Sequence, residues 1–229
     1  MSELILYHGS SKIISTPQKS NGRPHNDYGQ GFYCTESKEL ASEWACLMNR
    51  DGFVNAYRLD LDGLNIVTLK EPYNVLHWLT LLLQHRRFSL DHLVATQAKD
   101  YLIRNYLIST GNADVIIGYR ADDSYFSFAE DFLSNQITVE QLSQALTLGK
   151  LGIQVFLQSQ RAFDQLHFCD ATPVYSSHYY HRYLARDVDA RSQYQDLKKS
   201  TSWNGQYIID LMRKEGEQDG IRLPKILLE

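Results

Sequence analysis

The chain has 229 residues, 43% of them hydrophobic and 22% charged, which allows a full core and suggests neither a membrane span nor wholesale disorder. A formal net charge of −4 argues against a surface built as a whole to bind phosphate backbones. Three cysteines without paired spacing, and no basic-then-apolar leader before Leu4, read as a reduced, cytoplasmic protein.

Residues 3–7 form a short apolar run that ends on His8 and Gly9, as expected of a first strand delivering its last residues to a cleft. Pro17, Gly22, Pro24 and Gly29 make residues 10–30 a loop, and residues 32–35 resume an extended segment. Thr35 as N-cap and Glu36 as first-turn acid predict a helix to about Asn49 that buries Leu40, Trp44 and Leu47. Residues 53–61 and 64–69 flank Asp62 and Gly63 and read as a hairpin.

Helical spacing governs residues 75–109, with a break at Ser89, and the apolar run 75–83 is a core helix too short to cross a bilayer. Residues 114–119 read as a buried strand, and 124–133 and 138–148 as helices. A strand over 152–159, a helical turn from Gln160 and a further strand from Leu166 follow. From Ser176 the texture turns polar, tyrosine-rich and helical, with a last amphipathic helix over 206–214. These patterns predict an α+β domain over 1–175 and a helical C-terminal extension over 176–229 packed on it.

The chemistry concentrates near the start. An imidazole at His8 can hydrogen-bond a ribose hydroxyl, Gly9 lets a ligand meet bare backbone, and the stretch from Asp27 to Tyr33 places glycines beside aromatic rings that can stack on a flat heterocycle. Such a set suits a nucleotide. Asp122 and Asp123 supply adjacent acids, one to cap a helix and one to serve as an acceptor base, and Tyr125 or Phe126 could close a pocket wall. Cys34 alternates away from Tyr33, which argues against a thiol nucleophile. His178 and His181 share a helix face without further ligands, so a solvated face is expected there and no metal is called for.

Three blocks, YHGS at 7–10, DYGQGFYCT at 27–35 and LASEWA at 40–45, resemble the bacterial domain-of-unknown-function 3990 family, grouped with the ADP-ribosyltransferase fold. ADVIIGYRADDSYF at 113–126 and LGKLGIQVFLQSQRAFDQLHF at 148–168 extend the resemblance to residues 4–168. The resemblance implies split antiparallel sheets with flanking helices, in the branch that holds NAD with a histidine, a tyrosine and usually a glutamate. Transferred by position, His8, Tyr33 and Gln154 are the catalytic set. NAD would meet His8, Gly9, Ser10, Tyr28, Gly31, Phe32, Tyr33 and Tyr125.

Gln154 departs from the glutamate of that branch. A carboxylate stabilises the oxocarbenium-like ribose better than a neutral amide does, and losing one charged contact of this kind costs about 10²-fold in rate. The resemblance implies an NAD-dependent mono-ADP-ribosyltransferase, the toxin of a toxin-antitoxin pair, with a small antitoxin partner and a macromolecular acceptor. Two other readings stand beside it: a catalytically weak NAD or ADP-ribose binding module, and an interaction protein that uses its C-terminal helices.

Overall fold

The computed structural model describes residues 3–121, 123–148, 152–200 and 204–214, with backbone alone at 123 and 124. Among the described residues it is a mixed α+β chain with two sheets and eight α-helices. β1 (Glu3–Ser10) and β7 (Leu166–Val174) flank β3 (Gly52–Asp60) in an antiparallel sheet. The second sheet runs β2 (Phe32–Cys34), β6 (Ile153–Leu157), β5 (Val115–Tyr119), β4 (Ile66–Thr68).

Two expectations fail here for physical reasons. The segments around Asp62 and Gly63 do not form a hairpin, because both edges of β3 are occupied by β1 and β7, and β4 pairs in the other sheet. It runs parallel to β5, so the second sheet is mixed and not wholly antiparallel.

The helix after β2 is α1 (Lys38–Ala45), capped by Ser37, whose Oγ accepts from the Leu40 amide at 3.3 Å. Thr35 is not the cap; its backbone is committed to β1. Nor does α1 bury Leu47, which lies past its last turn and is 49% exposed. Ala41 and Ala45 form the buried face instead, because β1 approaches too closely for larger side chains.

α2 (Val75–His85), opened by a capping box between Asn74 and His77, is the apolar spine expected of residues 75–83. With α3 (Leu93–Tyr106), α4 (Asp123–Leu133) and α5 (Val139–Ala145) it builds the largest hydrophobic cluster on one face of the second sheet. The other face carries Phe32, Cys34, Val115, Val155 and Leu157, which pack with Leu6, Tyr57 and Leu59 of the first sheet and Ala162 of α6 (Gln160–Asp164).

α7 (Ser176–Lys199) spans both halves of the molecule. Near its start Arg182 pairs with Glu39 of α1 at 2.7 Å and Arg186 pairs with Glu43. Toward its end Tyr194 stacks on Phe128 with centroids 3.8 Å apart, and its hydroxyl donates to Asp131 at 2.6 Å. α8 (Ile208–Lys214) adds Ile208 and Leu211 to the same core. No described helix is long and apolar enough to cross a membrane.

Candidate functional site

Between the strands of the two sheets, one described residue pair forms a backbone bridge. Tyr7 donates to the Thr35 carbonyl at 2.7 Å and accepts from the Thr35 amide at 3.0 Å, forming an isolated bridge between β1 and β2. In an antiparallel ladder the next exchange would join Gly9 to Tyr33. Instead the Tyr33 carbonyl receives Nδ1 of His8 at 2.7 Å. The imidazole takes the place of a backbone donor, the strands part, and the N–H and C=O of Gly9 face the divergence because they alternate onto the same side as those of Tyr7.

A carbonyl only accepts, so His8 Nδ1 carries the proton and Nε2 of the neutral ring is an acceptor. Burial lowers the His8 pKa below its ordinary value, while the bond to Tyr33 opposes that shift, so the neutral ring prevails at pH 7. Its ring rests on Phe32, centroids 4.4 Å apart, and Phe32 in turn meets Tyr57 and Phe163. Asn55, opposite His8 in β3, holds the loop that leaves β1, accepting from Ile14 at 2.8 Å and donating to Lys12 at 3.3 Å. Gly9 is glycine because a Cβ would stand 1.9 Å from the Ala41 carbonyl oxygen of α1.

Tyr33 points to the helix side of β2. Its ring packs on Phe156 at 4.6 Å, and its hydroxyl donates to the Gly29 carbonyl at 2.7 Å and accepts from the Tyr28 amide at 3.0 Å. Burial raises the pKa of this phenol and that of Tyr28, so both are neutral donors. Gly31 is pressed between the Leu157 carbonyl and the Phe156 ring, each within 2.4 Å of a would-be Cβ.

Gln154 precedes Phe156 by two residues and shares its face, opposite Gly118 of β5. It is 3% exposed. Its Nε2 donates to Asp27 Oδ2 at 2.9 Å and to the Tyr119 carbonyl at 3.0 Å, so both amide hydrogens serve protein acceptors. The Tyr28 hydroxyl donates to the same carbonyl at 2.5 Å. Asp27, 5% exposed, also accepts from the Ala121 amide at 2.9 Å and lies 3.0 Å from Arg86 Nε.

The structure therefore joins His8 to the backbone of Tyr33, and Tyr33 to Gln154 through Phe156, Tyr28 and Asp27. It does not place the His8, Tyr33 and Gln154 side chains around one open cavity. His8 and Phe32 lie on the face opposite to Tyr33 and Gln154. A cavity of about 640 Å³ is lined by the 16–20 loop, Gln30, Gln160, Phe163 and Asp164, and the Phe163 ring in its wall lies 6.4 Å from that of Phe32.

Other expected residues lie apart. Ser10 turns its hydroxyl to the Lys12 carbonyl. Tyr125 is buried, its phenol aimed at the carbonyls of Leu146 and Leu148. Phe126 carries the Arg86 guanidinium 4.6 Å above its ring. Asp122 lies outside the described residues, and at Asp123 only the helical backbone is described.

Cys34 faces the opposite cluster, its thiol pushed up by burial. Three residues carry more than the sequence pattern announced. Asp27 opens a motif already singled out, and Arg86 ends the apolar helix. Trp44 holds a buried Nε1 without a partner, beneath the Arg120 guanidinium 4.4 Å from its ring, where a plain core residue was expected.

Residues 4–168 match the sequence model of a family described as "Protein of unknown function (DUF3990)". The chain belongs to this family. The DUF3990 match begins at β1 and ends within β7, so it contains His8, Asp27, Tyr33 and Gln154 and stops before α7. No curated protein and no solved structure matches the chain.

Proposed function

We propose that this DUF3990 chain is an NAD-dependent mono-ADP-ribosyltransferase with the ADP-ribosyltransferase fold. The observation that carries the reading is the parting of β1 from β2 at His8, where an imidazole with a free Nε2 acceptor stands beside the bare backbone of Gly9 and the carbonyl of Tyr33. Nε2 would accept a ribose hydroxyl, and the N–H and C=O of Gly9 would pair with the nicotinamide carboxamide, whose donor and acceptor match them. Tyr33 would contribute its backbone carbonyl, held in place by the bonds of its phenol to Gly29 and Tyr28 on the helix side of β2.

In the reaction the C–N glycosidic bond of NAD breaks, its electron pair leaves with nicotinamide, and the acceptor's nucleophilic atom bonds to the ribose carbon and releases a proton. The developing ribose cation needs a nearby negative dipole or charge. In this reading the chain is the toxin of a bacterial pair, acting in the cytoplasm on a macromolecule and masked by a small antitoxin. The family resemblance of the residues supports that part.

The test is incubation with labelled NAD and bacterial extract. Wild type should release nicotinamide and transfer label, and His8→Ala should do neither; absence of both with wild type refutes the enzyme reading. One observation favours a second reading, an NAD or ADP-ribose sensor without turnover: both Gln154 amide hydrogens are committed inside the protein. Calorimetry that finds tight NAD binding with no nicotinamide release would select it.

A further inference from the structure

We propose that Asp27 is the positioning carboxylate of this site: the negative charge expected at position 154 has been transposed to position 27 and acts through the Gln154 carboxamide. The inference rests on the NAD reading above and deepens it.

The geometry fixes the amide. Asp27 Oδ2 and the Tyr119 carbonyl are both acceptors, at 2.9 and 3.0 Å from Gln154 Nε2. A flipped amide would set its oxygen against an anion and a carbonyl, so Oε1 is held away from both. A hydrogen bond donated to a carboxylate is stronger than one between neutral groups, and it polarises the amide so that Oε1 is a better acceptor than that of a free carboxamide. The Gln154 carboxamide is thus held in one orientation and polarised, with Oε1 turned from Asp27 and the Tyr119 carbonyl.

Asp27 does not touch a ligand itself. It is 5% exposed, Oδ2 also accepts from the Ala121 amide at 2.9 Å, and Oδ1 faces Arg86 Nε at 3.0 Å. Arg86 is anchored in turn, donating from Nη1 to the His25 carbonyl at 3.2 Å. The cluster accommodates one carboxylate. A glutamate at 154 would confront Asp27 at hydrogen-bond distance and the Tyr119 carbonyl, and two carboxylates in such contact do not both ionise. An acid at 27 therefore goes with an amide at 154.

Four proteins test this: wild type, Asp27→Asn, Gln154→Glu and the double variant, each measured for urea midpoint at pH 7.5 and for nicotinamide release from NAD. Each single variant should unfold at lower urea, the first because Arg86 loses its counter-charge and the second because two acids meet. The double variant, with one carboxylate and one amide again in contact, should recover part of the loss. Asp27→Asn should lower kcat about tenfold or more and change KM less than about threefold, because the interaction matters most as ribose charge develops. A double variant no more stable than the weaker single, or Asp27→Asn with wild-type kcat, overturns the proposal. Wild type without nicotinamide release overturns the functional reading instead, and the stability cycle then decides the transposed pair by itself.

Discussion

Gly9→Ala separates what the backbone of β1 does for the fold from what it could do for a ligand. A Cβ at Gly9 would lie 1.9 Å from the Ala41 carbonyl oxygen and 2.6 Å from the Ala45 amide nitrogen, both backbone atoms of α1. Neither can rotate away, so the helix must retreat by about 1.5 Å to restore ordinary contact. Overpacking of this kind costs typically about 1–3 kcal/mol, and the upper end applies because a whole helix must move. Alanine returns about 0.4–1 kcal/mol by restricting the unfolded chain, which leaves a net loss of about 2 kcal/mol. For a chain of this size that lowers Tm by about 4–8 °C. Differential scanning calorimetry reads it directly. A Gly9→Ala protein that melts at or above wild type would refute the close packing of α1 on β1, and with it the account of why glycine follows His8.

Acid should weaken the fold. Burial lowers the pKa of His8, His77 and His85 below 6.5, so the unfolded chain binds more protons than the native one beneath that value; stability is complete above pH 6.5 and falls as pH drops toward the lowered values. Urea midpoints at pH 5.0 and 7.5 check the sign, and His8→Asn should flatten part of the slope. Arg186→Ala leaves Glu43, whose side chain is 3% exposed, without its nearest cation and should cost about 3 kcal/mol at pH 7.5. Burial already raises the Glu43 pKa above the ordinary carboxylate value, so the cost should shrink as pH falls and the carboxyl takes up its proton. Tyr194→Ala removes a ring stacked on Phe128 and a hydroxyl bound to Asp131, and should cost about 3–5 kcal/mol in chemical denaturation, whereas Tyr194→Phe should cost about 1 kcal/mol.

The sequence disclosed what is encoded locally. The run from Val75 to Leu83 and the strand Val115–Tyr119 are apolar stretches bounded by breakers, and both form as expected. His8, Gly9 and Tyr33 were legible because two short motifs carry them and a strand end meets a strand start. Pairing was not legible: β4 looked like the partner of β3 because it follows it, and only the occupation of both β3 edges sends it to β5. Nor was the cap of α1, since Thr35 and Ser37 are equally good capping residues and the bridge to Tyr7 decides between them. Asp27 and Gln154 are 127 positions apart, and no local pattern announces a bond across that distance. Trp44 fits the apolar periodicity of its helix, which conceals an indole nitrogen that finds no acceptor.

Three free thiols stand in different surroundings: Cys34 and Cys46 are buried, and Cys169 is exposed. A colourless disulfide reagent that releases a yellow anion should therefore react once quickly and twice slowly in the native protein. Because Cys34 adjoins Tyr33, the slow phase that remains once Cys46 is replaced by alanine is a clock for the opening of β2, with Cys169 as the internal standard. A molecule lodged where the strands part would retard that clock and leave the standard untouched, so occupancy could be read without any turnover.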